Sequence, residues 1–321
     1  MPNLADLRGV GRVTVERLKA SGMDDPLMVL AHGVAEVKEA AQCDEGGALM
    51  ILARCREAVE ASGIMGKTVM SAAELLKERE AAVRVRTGMK ALDEFLGGGL
   101  ERKALTEVWG EFGSGKTQFA HMFSVLAQRH VEDGGLGLGV IYLDAENTFR
   151  PERIAEIASA HGVDPKSAID GITYMKALNA GHQKLLLEEA IKRIRDGGGI
   201  GLIVVDSVTK HFRAEYGGQG WLARRQQALG SFLHTLSTAA QLYDLAVILT
   251  NQVVARPGVM YGPTEVAVGG NVLGHASTYR IQIRKGAKSK RILKMDDSPG
   301  SAQAEIIMHL CAGGLGEGDG K

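Results

Sequence analysis

Apolar residues recur along this chain with two different periods, and the change of period divides it. From residue 1 to 64 the spacing is helical. "LADLRGVGRVTVERLKASGM" alternates an apolar helical pattern with a Gly-Val-Gly turn at Gly9 to Gly11. Further helical stretches start near Asp25-Pro26 and near Ala35, and "EGGALMILARCREAVEAS" closes the unit as a long amphipathic helix. Residues 65–85 begin small and polar and continue into helix-prone "AAELLKERE", which predicts a linker followed by a helix. From 86 to 321 the pattern becomes short, strongly apolar runs alternating with amphipathic stretches. The runs at 104–109, 138–144, 201–206 and 244–254 predict strands buried on both faces of a mostly parallel sheet, hence an α/β core. "RIQIRKGAKSKRILK" (280–294) reads as a β-hairpin with a Gly-Ala-Lys-Ser turn, and "GGLGEGDGK" as a tail without structure.

The ends of these predicted strands carry the chemistry. The first runs into Gly110, Glu111, Phe112, Gly113, Ser114, Gly115, Lys116 and Thr117, with Gln118 opening an amphipathic helix. Strand, glycine loop and helix in that order are the context of a phosphate-binding loop. Its glycines let backbone N–H groups turn toward phosphates, Lys116 supplies a point charge, and the Thr117 hydroxyl suits Mg²⁺. "GLIVVD" ends in Asp206, a carboxylate placed to hold the Mg²⁺ water shell. "LGVIYLDAENTFRPERI" ends in Asp144 and Glu146, which share one side of an extended segment. Glu146 is the favoured base for an attacking water. The alternative is that this stretch serves the helix begun by Pro151, with Asn147 or Thr148 as its cap. Gln252, leaving the run at 244–254, is placed to sense a γ-phosphate and pass that state to the loop behind it. That loop, "ARPGVMYGPTEVAVGGN" (255–271), is long, rich in Gly and Pro, and poor in core-forming residues, which points to function.

Composition narrows the options. Lys+Arg and Asp+Glu are both 38, so no global charge drives the chain onto nucleic acid or a membrane. Between 1 and 64 there are seven basic and ten acidic residues, so a DNA contact through the Gly-Val-Gly turn, in the manner of a helix-hairpin-helix, is expected to be auxiliary. Cys43, Cys55 and Cys311 are too scattered for a metal site and suit a reducing cytosol. "MPNLADLRGV" is not a leader and no apolar run is long enough to span a bilayer, so a cytoplasmic protein is expected.

Taken in order, "GEFGSGKTQ", "DAENTFRPERI", "VVDSVTKHFRAEY", "ARRQQAL", "TNQV" and "VAVGGNVLGHASTYRIQIRKG" resemble the archaeal members of the RecA/RadA strand-exchange recombinases over nearly the whole chain. The resemblance implies a RecA-type P-loop ATPase core behind a small helix-hairpin-helix domain. It implies ATP and Mg²⁺, with K⁺ an open possibility near Asp297. It implies a homo-oligomeric filament or ring on single-stranded DNA that pairs with duplex DNA, association with the nucleoid, and room for mediator partners.

Individual residues carry over. Arg153 resembles an adenine-stacking arginine. Asp297 and Pro299 resemble a segment capping ATP from the neighbouring subunit, and His275 a histidine reaching the γ-phosphate across that interface. A first DNA loop is implied at 213–225, with Arg213, Gln219, Trp221, Arg224 and Arg225. A second is implied at 254–271, with Arg256, Gly269, Gly270 and Asn271. Met70 and Ala73 match the anchors of a Phe-x-x-Ala polymerisation motif. Met70 replaces the usual Phe and, being adaptable, should still dock. Gln219 replaces a common Arg, which lowers the expected salt dependence of binding, while Trp221 can offset the loss by stacking. For the 280–294 hairpin a solvated surface and a ridge gathering duplex DNA both remain open. Two rival readings are a non-exchanging RecA-fold regulator and a hexameric helicase.

Overall fold

The computed structural model describes residues 3–63, 69–216, 218–255, 265–300 and 303–318. They fall into two compact units, Met1–Ala82 with Ser231–Tyr243, and Val83–Gly230 with Asp244–Lys321.

The first unit holds α1 (Arg12–Ala20), α2 (Pro26–Leu30), α3 (Val34–Ala41), α4 (Glu45–Ala61) and α5 (Ala72–Ala81). Local chemistry sets the starts. Asp25 accepts the Met28 N–H at 2.9 Å ahead of Pro26, and Asp44 accepts the Gly47 N–H at 2.7 Å. At Ser71 a reciprocal pair with Glu74 opens α5. Leu4, Leu18, Val29, Val37, Ile51 and Cys55 meet in a small core. Burial pushes the Cys55 thiol up to about 12, so this cysteine is an inert apolar filler. The segment before Gly9 is one 3₁₀ turn, Leu4–Asp6, and not the helix its pattern suggests. Three consecutive residues cannot carry the i→i−4 ladder that a helix needs.

The second unit contains α6 (Lys90–Phe95), β1 (Ala104–Trp109), α7 (Lys116–Leu126), β2 (Gly139–Asp144), α8 (Pro151–Ala160), α9 (Pro165–Asp170), β3 (Ile172–Lys176), α10 (Ala180–Arg195) and β4 (Ile200–Asp206). It continues with α11 (Lys210–Glu215), the start of α12 (Leu222–Leu242), β5 (Ala246–Asn251), β6 (Val253–Ala255), β7 (Glu265–Ala267) and α13 (Gly270–Ala276). It ends with β8 (Tyr279–Lys285), β9 (Lys290–Asp297), β10 (Glu305–Cys311) and β11 (Gly314–Gly316). One sheet runs β11-β10-β9-β8-β1-β5-β4-β2-β3. From β8 to β3 its pairings are parallel, and β9 to β11 are added antiparallel. Every residue of β1 and β5 is buried, the polar Thr106, Glu107, Thr250 and Asn251 included. Register aligns the strand ends: Trp109 lies opposite Asn251, and Asp144 opposite Asp206.

Two sequence expectations need correction. The run at 244–254 is not one strand. β5 stops at Asn251, and Val253–Ala255 pairs antiparallel with Glu265–Ala267 in a separate two-stranded sheet. The break comes from Asn251, whose side-chain oxygen takes the Gln252 N–H at 2.9 Å. The C-terminal stretch is not wholly a loose tail either: Gly314–Gly316 pairs with β10, and Leu315 is 1% exposed. A single apolar residue among glycines is too weak a pattern to announce a strand, yet it fills a core position. Among the described residues no helix is long and apolar enough to cross a membrane.

Candidate functional site

The loop from Gly110 to Gly115 joins β1 to α7, and glycine is required at both of its ends. A Cβ on Gly110 would lie 2.1 Å from the Ile283 carbonyl oxygen, and Gly115 has φ +111°. Glycine is required at the first by close approach and at the second by the left-handed backbone. Lys116 folds back across the loop, donating to the carbonyls of Gly110 and Glu111, each at 2.8 Å. Burial pulls its ammonium below the ordinary range; Glu146, Asp206 and Glu111 oppose that pull, and Lys285 adds to it. The Ser114 hydroxyl is buried with no partner among the described residues. Phe112, by contrast, is 88% exposed.

Asp206, at the tip of β4, is 2% exposed. It accepts hydroxyls from Thr117 (2.9 Å), Tyr142 (2.8 Å), Thr148 (3.3 Å) and Thr250. Thr117 and Asp206 therefore touch. Two oxygen donors beside an inward-facing glycine loop fit Mg²⁺, which keeps several waters and takes its remaining ligands from phosphates. Among the described residues no group of three acidic, histidine or cysteine side chains is placed to hold a metal ion by itself.

Glu146 and Gln252 also meet, with the Gln252 amide donating to Glu146 at 2.6 Å. Asp144 has a different use. Its carboxylate accepts the N–H groups of Glu146, Asn147, Thr148 and Phe149 at 2.7–3.3 Å. The capping expectation is corrected with it: the N-cap of α8 is Arg150, with no side-chain cap bond, and Asp144 organises the turn instead of Asn147 or Thr148. Arg153 is held by the Gln118 side chain at 2.7 Å and by the Cys311 carbonyl at 2.6 Å, which fixes it beside the start of α7.

Behind Gln252 lies a buried polar network that the sequence did not announce. Asn251 donates to Glu107 and to the Val268 carbonyl, both at 2.7 Å, and accepts from Thr209 at 2.7 Å. Glu107, fully buried, pairs with Arg280 at 2.7 Å. Val268 in turn donates to the Gln252 carbonyl at 2.9 Å. One asparagine thus ties the Glu146–Gln252 pair to the segment that leads into Gly269 and Gly270.

The two predicted nucleic-acid loops converge as well. Arg213, Arg225, Gly269 and Gly270 line one cavity of about 260 Å³, with Phe212, Leu229 and Val254 in its walls. Trp221 is 45% exposed, and the Arg224 guanidinium lies 4.9 Å from its ring centre. Gln219 falls in a single 3₁₀ turn, Gln219–Trp221. Arg256 lies outside the described residues. Asn271, His275, Asp297 and Pro299 are exposed, as is Ala73, whereas Met70 is half-buried.

A glycine phosphate loop feeding a helix, with acids on the tips of neighbouring parallel strands, defines a RecA-type P-loop core. The chain matches the Rad51 family over residues 78–318. It is 45% identical over 308 residues to the DNA repair and recombination protein RadA of Cenarchaeum symbiosum (strain A), a match covering 96% of this chain and 77% of that protein. The chain belongs to the Rad51/RadA family.

Proposed function

We propose that this chain is a DNA repair and recombination protein that exchanges strands, assembling on single-stranded DNA and hydrolysing ATP as DNA demands. The observation that carries the reading is the path from Glu146 through Gln252 and Asn251 to Val268. It joins the nucleotide side of the sheet to the cavity between the two loops.

In this reading the loop amides, Lys116, Thr117 and Asp206 bind Mg·ATP, the Mg²⁺ neutralising phosphate charge as phosphoryl transfer needs. Glu146 takes a proton from the attacking water, and Gln252 orients Glu146. Arg153 holds the base side. His275, Asp297 and Pro299, exposed on their own subunit, close the site of a neighbour. Helix α5, which carries Ala73, buries none of its residues and exposes Leu75 and Leu76. That face suits an element whose partner is another copy. Arg213, Arg225 and the 255–271 loop hold the DNA backbone, and Trp221 stacks on a base. A cytoplasmic location follows from the same reading.

The test is ATP hydrolysis by purified protein with and without single-stranded DNA, beside Lys116→Ala. Stimulation that the variant abolishes is expected. Hydrolysis indifferent to DNA across a range of salt overturns the reading.

A further inference from the structure

The β8–β9 hairpin, read from sequence as a solvated or DNA-facing ridge, packs against the phosphate loop. The Ile283 carbonyl oxygen approaches Gly110 so closely that no side chain fits there. Lys285 reaches Glu111 of the loop at 3.7 Å. Arg291 stretches under the loop, donating to the Gly113 carbonyl at 3.5 Å and to the carbonyls of Lys288 (3.2 Å) and Lys290 (2.7 Å). A Cβ on Gly115 would lie 3.8 Å from Arg291 Nε.

Two features make this arrangement costly without an anion. Lys285 and Arg291 are directly opposed across the antiparallel pair, where like charges destabilise a sheet. Arg291 is only 8% exposed, no carboxylate pairs with it among the described residues, and its Nε has no hydrogen-bond partner there. A buried guanidinium held by carbonyls alone carries an uncompensated charge. Local rules broken in this way mark sites that another component completes. The nearest place for that component is the phosphate loop itself.

We propose that Arg291 is a positioning residue for nucleotide binding. It turns the Gly113 carbonyl outward, so that the loop amides face inward, and its buried charge adds to the potential that holds polyphosphate. Lys285, paired with Glu111, contributes from the loop's outer side. The inference rests on the nucleotide-site reading above and assigns this part of the hairpin to ATP rather than DNA.

The test is binding of a fluorescent, non-hydrolysable ATP analogue and of fluorescent ADP to the full chain without DNA. Arg291→Met is expected to weaken the ATP analogue about tenfold and ADP by less, because the triphosphate carries more charge. Arg291→Lys keeps the charge but loses the planar fork. It should weaken both nucleotides about threefold and keep the wild-type ratio between them. Lys285→Ala should weaken the ATP analogue by about threefold. Wild-type affinity in a folded Arg291→Met, or an equal loss of both nucleotides that Arg291→Lys does not relieve, overturns the proposal. If Arg291→Met does not fold, Arg291→Lys decides: wild-type affinity for both nucleotides overturns it. A wild-type chain that binds neither nucleotide overturns the site reading itself, which is a different result from wild-type binding that the Arg291 variants leave intact.

Discussion

His121 should make the core unit acid-sensitive. It sits on α7, 1% exposed, with ring centres of Tyr142 and Phe149 each 5.4 Å away. Neither ring nitrogen has a partner among the described residues. Burial pushes its pKa down to about 4 from an ordinary 6.5; Asp206 and Asp144 oppose the shift, and Arg153 and Arg150 add to it. The folded value lies below the unfolded one, so the unfolded chain takes up the proton first. The associated stability is intact above about pH 6.5 and is lost as pH falls from there toward 4. At pH 5 the loss is about 2 kcal/mol, since one pKa unit is worth about 1.4 kcal/mol. Both tryptophans, Trp109 and Trp221, belong to the core unit, so their fluorescence reports its unfolding alone. With a urea slope of about 3 kcal/mol/M, the midpoint should drop by about 0.7 M between pH 7.5 and pH 5. His161 is also pulled down by burial, its bond to the Gly313 carbonyl opposing this, so the decisive quantity is a difference. His121→Phe, which has no nitrogen to protonate, should lose most of the drop. An equal drop in the variant and the wild type would refute the reasoning.

Other consequences can be checked directly. Asn251→Ala strands the Gln252 N–H, the Thr209 hydroxyl and the Val268 carbonyl, and should cost about 3 kcal/mol by urea unfolding. Where it still folds, DNA should stimulate hydrolysis less than in the wild type. Trp221→Ala should weaken single-stranded DNA binding by about 1–3 kcal/mol in a fluorescence anisotropy titration, with ATP affinity unchanged. Gly110→Ala drives a methyl group into the Ile283 carbonyl and should cost about 3 kcal/mol or more in the same urea assay, or prevent folding.

The parts legible in the sequence were those written in contiguous residues. The phosphate loop announces itself because strand, glycines, Lys116, Thr117 and helix follow one another. Asp206 was legible because an unbroken apolar run predicts where a buried strand ends, and Gln252 because it is a polar residue leaving a strongly apolar one. Strand order was not: nothing in "TYRIQIRK" says that it lies parallel to β1, because that pairing joins segments about 170 residues apart. The partition of β5 from β6 was hidden because one asparagine side chain makes the break and apolar residues resume directly behind Gln252. The use of Asp144 was hidden, since its four backbone donors appear only once the turn is closed. The hairpin's basic residues looked alike in sequence. The fold sorts them, leaving Arg284 at the surface with Glu305 and turning Arg291 under the loop.

That sorting also bears on which acid does which chemistry. Three carboxylates stand at or just past the ends of β2 and β4, and each meets a different demand. Asp144 receives four backbone N–H groups and, at 3.3 Å, the Tyr174 hydroxyl, so its lone pairs are spent on holding the turn. Asp206 receives four hydroxyls from four segments, which lets an almost wholly buried carboxylate persist and places it against Thr117. Glu146 receives one bond to its side chain, from Gln252, and is only half-buried. A general base needs a free lone pair and access to water. Of the three, Glu146 alone keeps both, and its one partner begins the segment that leads to the second loop. Under the proposed function, the residue that activates water is therefore also the one whose orientation the second-loop side of the sheet governs.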